Sequence, residues 1–113
     1  MEARLPAHLE VSALIRRVNA EGGFATVLAK GEHDAGTILA VLSHNGSGLR
    51  LYERMPELDG TRRWRCARTQ DPEDPFEFQD YVDRRRHQDP DVWIVELDAA
   101  DAERFIGVEP GAG

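Results

Sequence analysis

Between Glu10 and Gly22 the apolar residues Val11, Leu14, Ile15 and Val18 recur at i, i+3, i+4 and i+7, with Arg16, Arg17 and Glu21 pointing away from that stripe. This is the pattern of an amphipathic helix. Gly22 and Gly23 then offer the left-handed residue that ends many helices. From Phe24 the period shortens, and FATVLAKG reads as a strand closed by Gly31, a polar turn of Glu32, His33 and Asp34, and Gly36. TILAVLSH follows and is apolar on both sides, so it is predicted to be a central strand covered on both faces or a strand under the first helix. Asn45 and Gly46, flanked by Ser47 and Gly48, mark a hairpin whose central positions need positive φ. In the returning strand LRLYERM, Leu49, Leu51, Glu53 and Met55 alternate with Arg50, Tyr52 and Arg54, which leaves burial near its end open.

A turn around Pro56, Asp59 and Gly60 leads to RRWRCAR, a fourth strand with Trp64 and Cys66 on one face and Arg63 and Arg65 on the other. Asp74 as N-cap, Pro75 at the first helical position and Glu77 three residues after the cap start a second helix. Its inner side carries Phe78, Tyr81 and Val82, with the stem of Arg85 over the core edge, and it stops before Asp89 and Pro90. VWIVEL is a fifth strand, with Trp93 in the core. Asp98 to Glu103 is expected to make one helical turn, Arg104 to Val108 an extended segment, and EPGAG a frayed tail. The expected class is α+β: a mostly antiparallel sheet of about five strands, the first four in a meander, with two helices packed on one face. Pairing of the fifth strand stays open. No repeat or long linker divides the chain, so 1–113 is expected to be a single domain with its core at about 9–106 and short tails.

Composition narrows the function classes. A chain of 113 residues has room for one core and excludes a separate cofactor domain. With 31% charged and 41% hydrophobic residues it reads as globular, neither disordered nor membrane-spanning. The start, MEARLPAHLEV, lacks the features of a secretory signal, and a cytoplasmic location is the default expectation. Its net charge of −7 sits wholly in residues 57–113, with eight basic and fifteen acidic side chains against six of each before them. That balance argues against nucleic acid as a partner, because phosphate neutralisation needs a basic excess. Lys30 is the single lysine among 14 basic residues, an arginine bias that GC-rich coding accounts for.

Candidate chemistry is sparse. The Glu32, His33, Asp34 turn could offer a general base or a metal ligand, although contiguous residues rarely converge on one centre, and a solvated turn capped by Asp34 is the expectation. His44 and His87 read as surface residues, the latter favourably placed at a helix C-terminus. Neither a nucleophile elbow, nor a phosphate loop, nor a dinucleotide fingerprint, nor a His-Glu-x-x-His pair is present. Cys66 stands alone, which excludes an intrachain disulfide, and its place beside Trp64 predicts a buried structural thiol. Glu96, Asp98 and Asp101 resemble a carboxylate cluster without a spacing that selects hydrolysis. Catalytic residues are therefore unassigned, no metal ligand set is named and no cofactor is implied. The candidate binding residues are Arg62, Arg63, Trp64 and Arg65, since guanidinium forks hold anions and Trp and Arg are enriched at binding hot spots. Arg84, Arg85 and Arg86 form a second group that nearby Asp80, Asp83, Asp89 and Asp91 can pair.

The blocks VSALIRR, GGFATVLAKGEHDAGTILAVL, LYERMP, RRW and DPDVWIVELD, in this order over about residues 9–98, resemble the domain of unknown function 1491 family. The resemblance implies a single-domain cytoplasmic bacterial protein, chiefly of alphaproteobacteria, and supplies no catalytic residue. In that family the turn after the first strand tends to read Gly-Asp-x-Asp-Ala-Gly, and Glu32 and His33 here depart from it. The leading expectation is a non-enzymatic protein-interaction or adaptor module using a sheet edge or the arginine strand, with an unidentified protein partner or a second copy of the chain as a homodimer. The alternative is a small enzyme or ligand-binding domain for an anionic phosphate or carboxylate ligand; a deep pocket under the arginines would favour it. No membrane contact is expected.

Overall fold

In the computed structural model, which describes residues 5–56, 58 and 62–108, the chain runs α1 (Ala7–Ala20), β1 (Phe24–Ala29), β2 (Ile38–His44), β3 (Ser47–Pro56), β4 (Arg62–Thr69), α2 (Pro75–Gln88), β5 (Trp93–Asp98) and a closing 3-10 turn, η1 (Ala102–Ile106). Asp59 and Gly60 of the expected turn and the EPGAG tail lie outside the described residues. The class is α+β, a five-stranded sheet in the order β1-β5-β2-β3-β4. Only β2 and β5 pair in parallel; the other neighbours are antiparallel.

This order corrects the expected four-strand meander. β2, β3 and β4 form one, but β5 enters between β1 and β2. Residues 30–37 span the gap of two strand spacings, about 10 Å, and the intervening strand WIVELD is apolar enough on both faces to occupy the middle of the sheet. Their turn is pulled tight against the approach to β5. A Cβ on Gly31 or Gly36 would lie 2.2 or 2.4 Å from the Asp91 carbonyl oxygen, so only glycine permits that contact. Ile38 to Leu42 of β2 are each at most 2% exposed, as the unbroken apolar run predicts.

The helices cover opposite faces of the sheet, where packing on one face was expected. Val11, Leu14 and Val18 of α1 join Ala40, Leu42, Val95 and Leu97, together with Phe105 of η1. On the other side Phe78 and Val82 of α2 pack with Leu39, Val41, Leu51 and Ile94. The reason is the two-sided apolar character of β2 and β5: each exposes an apolar row on both faces, and each row needs its own cover. η1 replaces the extended segment expected at Arg104 to Val108; Phe105 and Ile106 are buried through it.

Local signals in the sequence explain most element ends. α1 begins at Ala7, earlier than the periodic stripe alone indicates, and Gly22 at φ 87° ends it. Asn45 at φ 54° and Gly46 at φ 77° make the primed turn between β2 and β3. α2 starts at Pro75 and stops at Gln88 as expected, but Asp74 makes no side-chain cap. At φ −143° and ψ 70°, Asp74 contributes its backbone carbonyl to Glu77 N–H instead. Among the described residues no helix is long and apolar enough to cross a membrane.

Candidate functional site

β4 is an edge strand, and its alternation divides the four candidate binding residues. Trp64 lies opposite Arg54 and packs against the α1-side core, and Arg62 shares that face; Arg63 and Arg65 point to the α2 side and are exposed. The Arg54 guanidinium lies 5.1 Å over the Trp64 ring and pairs with Glu10 of α1 at 2.5 Å. One side of the Trp64 ring is thus covered by a cation. A cleft of about 300 Å³ does open beside Arg54 and Arg62, but Glu10 and Asp34 share it, so its formal charge balances. Such a cleft gives an anionic ligand no net attraction.

Other arginines fasten α2 to the sheet. Arg68 pairs with Glu77 at 2.6 Å and sits 4.2 Å over the Tyr81 ring. Arg85 donates to Glu53 at 2.7 Å; burial alone would lower its pKa, but hydrogen bonds to Glu53 and Tyr81 raise it above its ordinary value. On the opposite face Arg50 binds both oxygens of Glu103, at 2.7 and 3.0 Å, tying η1 to β3. Burial pushes the Glu103 carboxyl up, and the Arg50 hydrogen bonds and charge outweigh it, leaving the pKa below the ordinary value. Burial and then Glu103 raise the neighbouring Tyr52 hydroxyl.

Cys66 is exposed, which corrects the expected buried thiol. β4 is an edge of the sheet, and Cys66, opposite Tyr52 in the middle of that strand, is left uncovered there. The carboxylates Glu96, Asp98 and Asp101 have separate tasks. Asp98 accepts the Asn45 and Gly46 amides at 2.7 and 3.0 Å and so braces the hairpin, while Asp101 occupies a left-handed backbone position at φ 51°.

In the polar turn, Glu32 closes the loop by accepting the Asp34 and Ala35 amides. His33 and Asp34 remain at the surface. His8, near the start of α1, stacks on His33 with ring centroids 3.5 Å apart, and with Asp34 these form a group able to hold a metal ion, ligand atoms all within 4.8 Å of one another. His8 carried no signal in the sequence, since only the fold brings it to a turn 25 residues away.

The opposite edge of the sheet, β1, has a different character from β4. FATVLA contains no charge, and Phe24 is 75% exposed, Leu28 41% and Val27 39%. On the α2 side, a groove of about 280 Å³ runs from Leu28 and Ala29 to Phe78 and Val82, with Val41 and Ile94 at its floor and Asp83, Arg86 and Glu96 around it. Apolar floor, polar rim and, beside them, a strand whose outer edge has no partner among the described residues are the ingredients of strand addition, in which backbone bonds bind the incoming segment and the groove receives its side chains. A wider depression of about 720 Å³ follows the solvent side of α2 past Phe76, Asp80, Arg84 and His87, without an apolar floor of core residues.

The fold and this edge define a small α+β domain with a covered two-faced sheet and one neutral, apolar strand left open. The chain belongs to the DUF1491 family, described as a protein of unknown function, whose model matches residues 5–107. It is similar to the crystal structure of a DUF1491 family protein from Caulobacter crescentus CB15, with 33% identity, coverage of 92% of this chain and 96% of that one, and a TM-score of 0.79. The NMR structure of a DUF1491 family protein from the same organism has 32% identity over 94% of this chain and 96% of that one, at a TM-score of 0.78. The solution structure of protein Atu0922 from A. tumefaciens has 30% identity over 97% of this chain and 100% of that one, at a TM-score of 0.75. No curated protein matches.

Proposed function

We propose that this chain is a non-enzymatic protein-interaction module that works through the β1 edge, and that the edge takes a second copy of the chain. The carrying observation is the uncharged strand β1, whose outer edge has no partner strand among the described residues and whose Phe24 is 75% exposed. Charge selects between the two edges. A β4 edge against its own copy would set arginines against arginines, an arrangement that keeps strand edges apart, whereas β1 against β1 opposes no charges within FATVLA.

A continuous antiparallel sheet with matching faces requires the two-fold axis to pass through a residue. With Thr26 on that axis, Ala25 faces Val27 of the second copy and Phe24 faces its Leu28, beside the groove mouth. The short strand gives an interface near the lower end of the specific range, below about 1,200 Å². Association is therefore reversible and concentration-dependent. Sedimentation velocity over a concentration series tests it. The wild type is expected to shift from monomer to dimer, while Thr26→Lys, an exposed position that would face itself across the axis, stays monomeric. A monomeric wild type at all concentrations would overturn the reading.

A second reading rests on Arg63 and Arg65, which are exposed on β4 and keep the module's other edge available to an anionic partner. Salt-dependent capture of a phosphate-bearing ligand, lost in Arg63→Ser/Arg65→Ser, is its test.

A further inference from the structure

We propose that His8, His33 and Asp34 bind a divalent transition ion of the zinc type. His8 Nδ1 lies 3.0 Å from the His33 carbonyl oxygen, which can only accept, so Nδ1 carries the proton. His33 Nδ1 lies 3.0 Å from Asp34 Oδ1, close enough for one ion to take the place of the proton between them. On His8 the lone pair is then on Nε2, and metal-binding histidines show this same arrangement, one nitrogen on the ion and the other N–H donated to a carbonyl or carboxylate.

The backbone holds these three residues in place. Ala7 and His8 N–H donate to the Asp34 and His33 carbonyls at 2.9 and 3.0 Å, which joins the start of α1 to the turn. From the other side, Trp93 Nε1–H donates to the Glu32 carbonyl at 2.6 Å, and Glu32 N–H donates to the Asp91 carbonyl at 2.9 Å. These bonds, one of them from the Trp93 indole, fix the backbone of the turn against α1 and β5, so the three residues are neighbours before any ion arrives. One ligand atom of each residue already lies within 4.8 Å of the others, and turning the two rings out of their stack about their side-chain torsions would bring the three to about 2.0–2.2 Å from one ion. Two imidazoles and one carboxylate suit zinc, nickel or copper rather than magnesium or calcium. Three protein ligands leave a tetrahedral ion one position for water, and Asp34 also borders the cleft of Glu10, Arg54 and Arg62.

The test is a Zn²⁺ titration of chelator-stripped full-length protein by calorimetry, with Co²⁺ absorption reporting coordination geometry. The wild type is expected to take one Zn²⁺ per chain, and His8→Gln and His33→Gln are each expected to weaken binding by about tenfold or more. Asp34→Asn should weaken it as well, and His44→Gln and His87→Gln should leave it unchanged. Circular dichroism in metal-free buffer verifies that each variant is folded. Absence of wild-type binding tighter than about 1 mM, or binding that survives loss of both His8 and His33 side chains, would overturn the site.

Discussion

Trp93 joins three parts of the chain: it starts β5, is 4% exposed against the α1-side core, and holds the Glu32 carbonyl through its indole N–H. Trp93→Ala is therefore expected to cost about 3 to 5 kcal/mol through lost burial and a cavity, read from urea denaturation. Ser43 behaves oppositely. Its Oγ is buried without a hydrogen-bond partner, so Ser43→Ala should leave stability unchanged or raise it by up to about 1 kcal/mol; a clear loss would reveal a partner for that hydroxyl. Asp74→Ala should cost less than the usual minimum of about 0.5 kcal/mol for a lost cap, because its carboxylate caps nothing. At this scale the sequence shows Trp93, Val18 and Phe78 as core through their periodicity. It does not show that Asp74 leaves the first-turn amides uncapped or that Cys66 is exposed, because side-chain torsions and the place of β4 at the sheet edge decide those.

Among the elements, all five strands and both helices are legible from apolar spacing and turn residues, with ends displaced by a few positions. Their arrangement is not. A connection as long as residues 30–37 fits either a direct hairpin or a pair of strands with another between them, and only the approach of Gly31 and Gly36 to Asp91 distinguishes the two. This single ambiguity explains why β1 reads as a meander strand in the sequence and stands as an open edge in the fold. The contact of η1 with β3 gives an element-scale prediction. The Glu103 pKa is lowered from its ordinary 4.5 in the folded chain, so the Arg50 pair stabilises above that value and is lost as pH falls through the lower folded one. Glu103→Gln should reduce stability at neutral pH and flatten the decline of melting temperature below about pH 4.5, followed by calorimetry across pH 2 to 7.

For the whole molecule, edge chemistry matters more than net charge. The −7 is carried by the second half of the sequence, yet the two sheet edges are one arginine-rich and one neutral. The arginines stand as a patch in the sequence, and strand alternation sends Arg63 and Arg65 to one face and Trp64 to the other. Exposed charges contribute little to stability, and Arg63→Ser/Arg65→Ser should melt within a degree or two of the wild type, about 0.5 kcal/mol or less. The same variant should associate with itself no less than the wild type, since β4 is the guarded edge. Backbone amide hydrogen exchange of β1, followed residue by residue by NMR at low and high protein concentration, tests the interaction edge most directly. The alternate amides of Phe24–Ala29 left unpaired by β5 are expected to exchange freely when dilute and to become protected when concentrated, and Thr26→Lys is expected to abolish that protection. Equal, rapid exchange of those amides at both concentrations would contradict this.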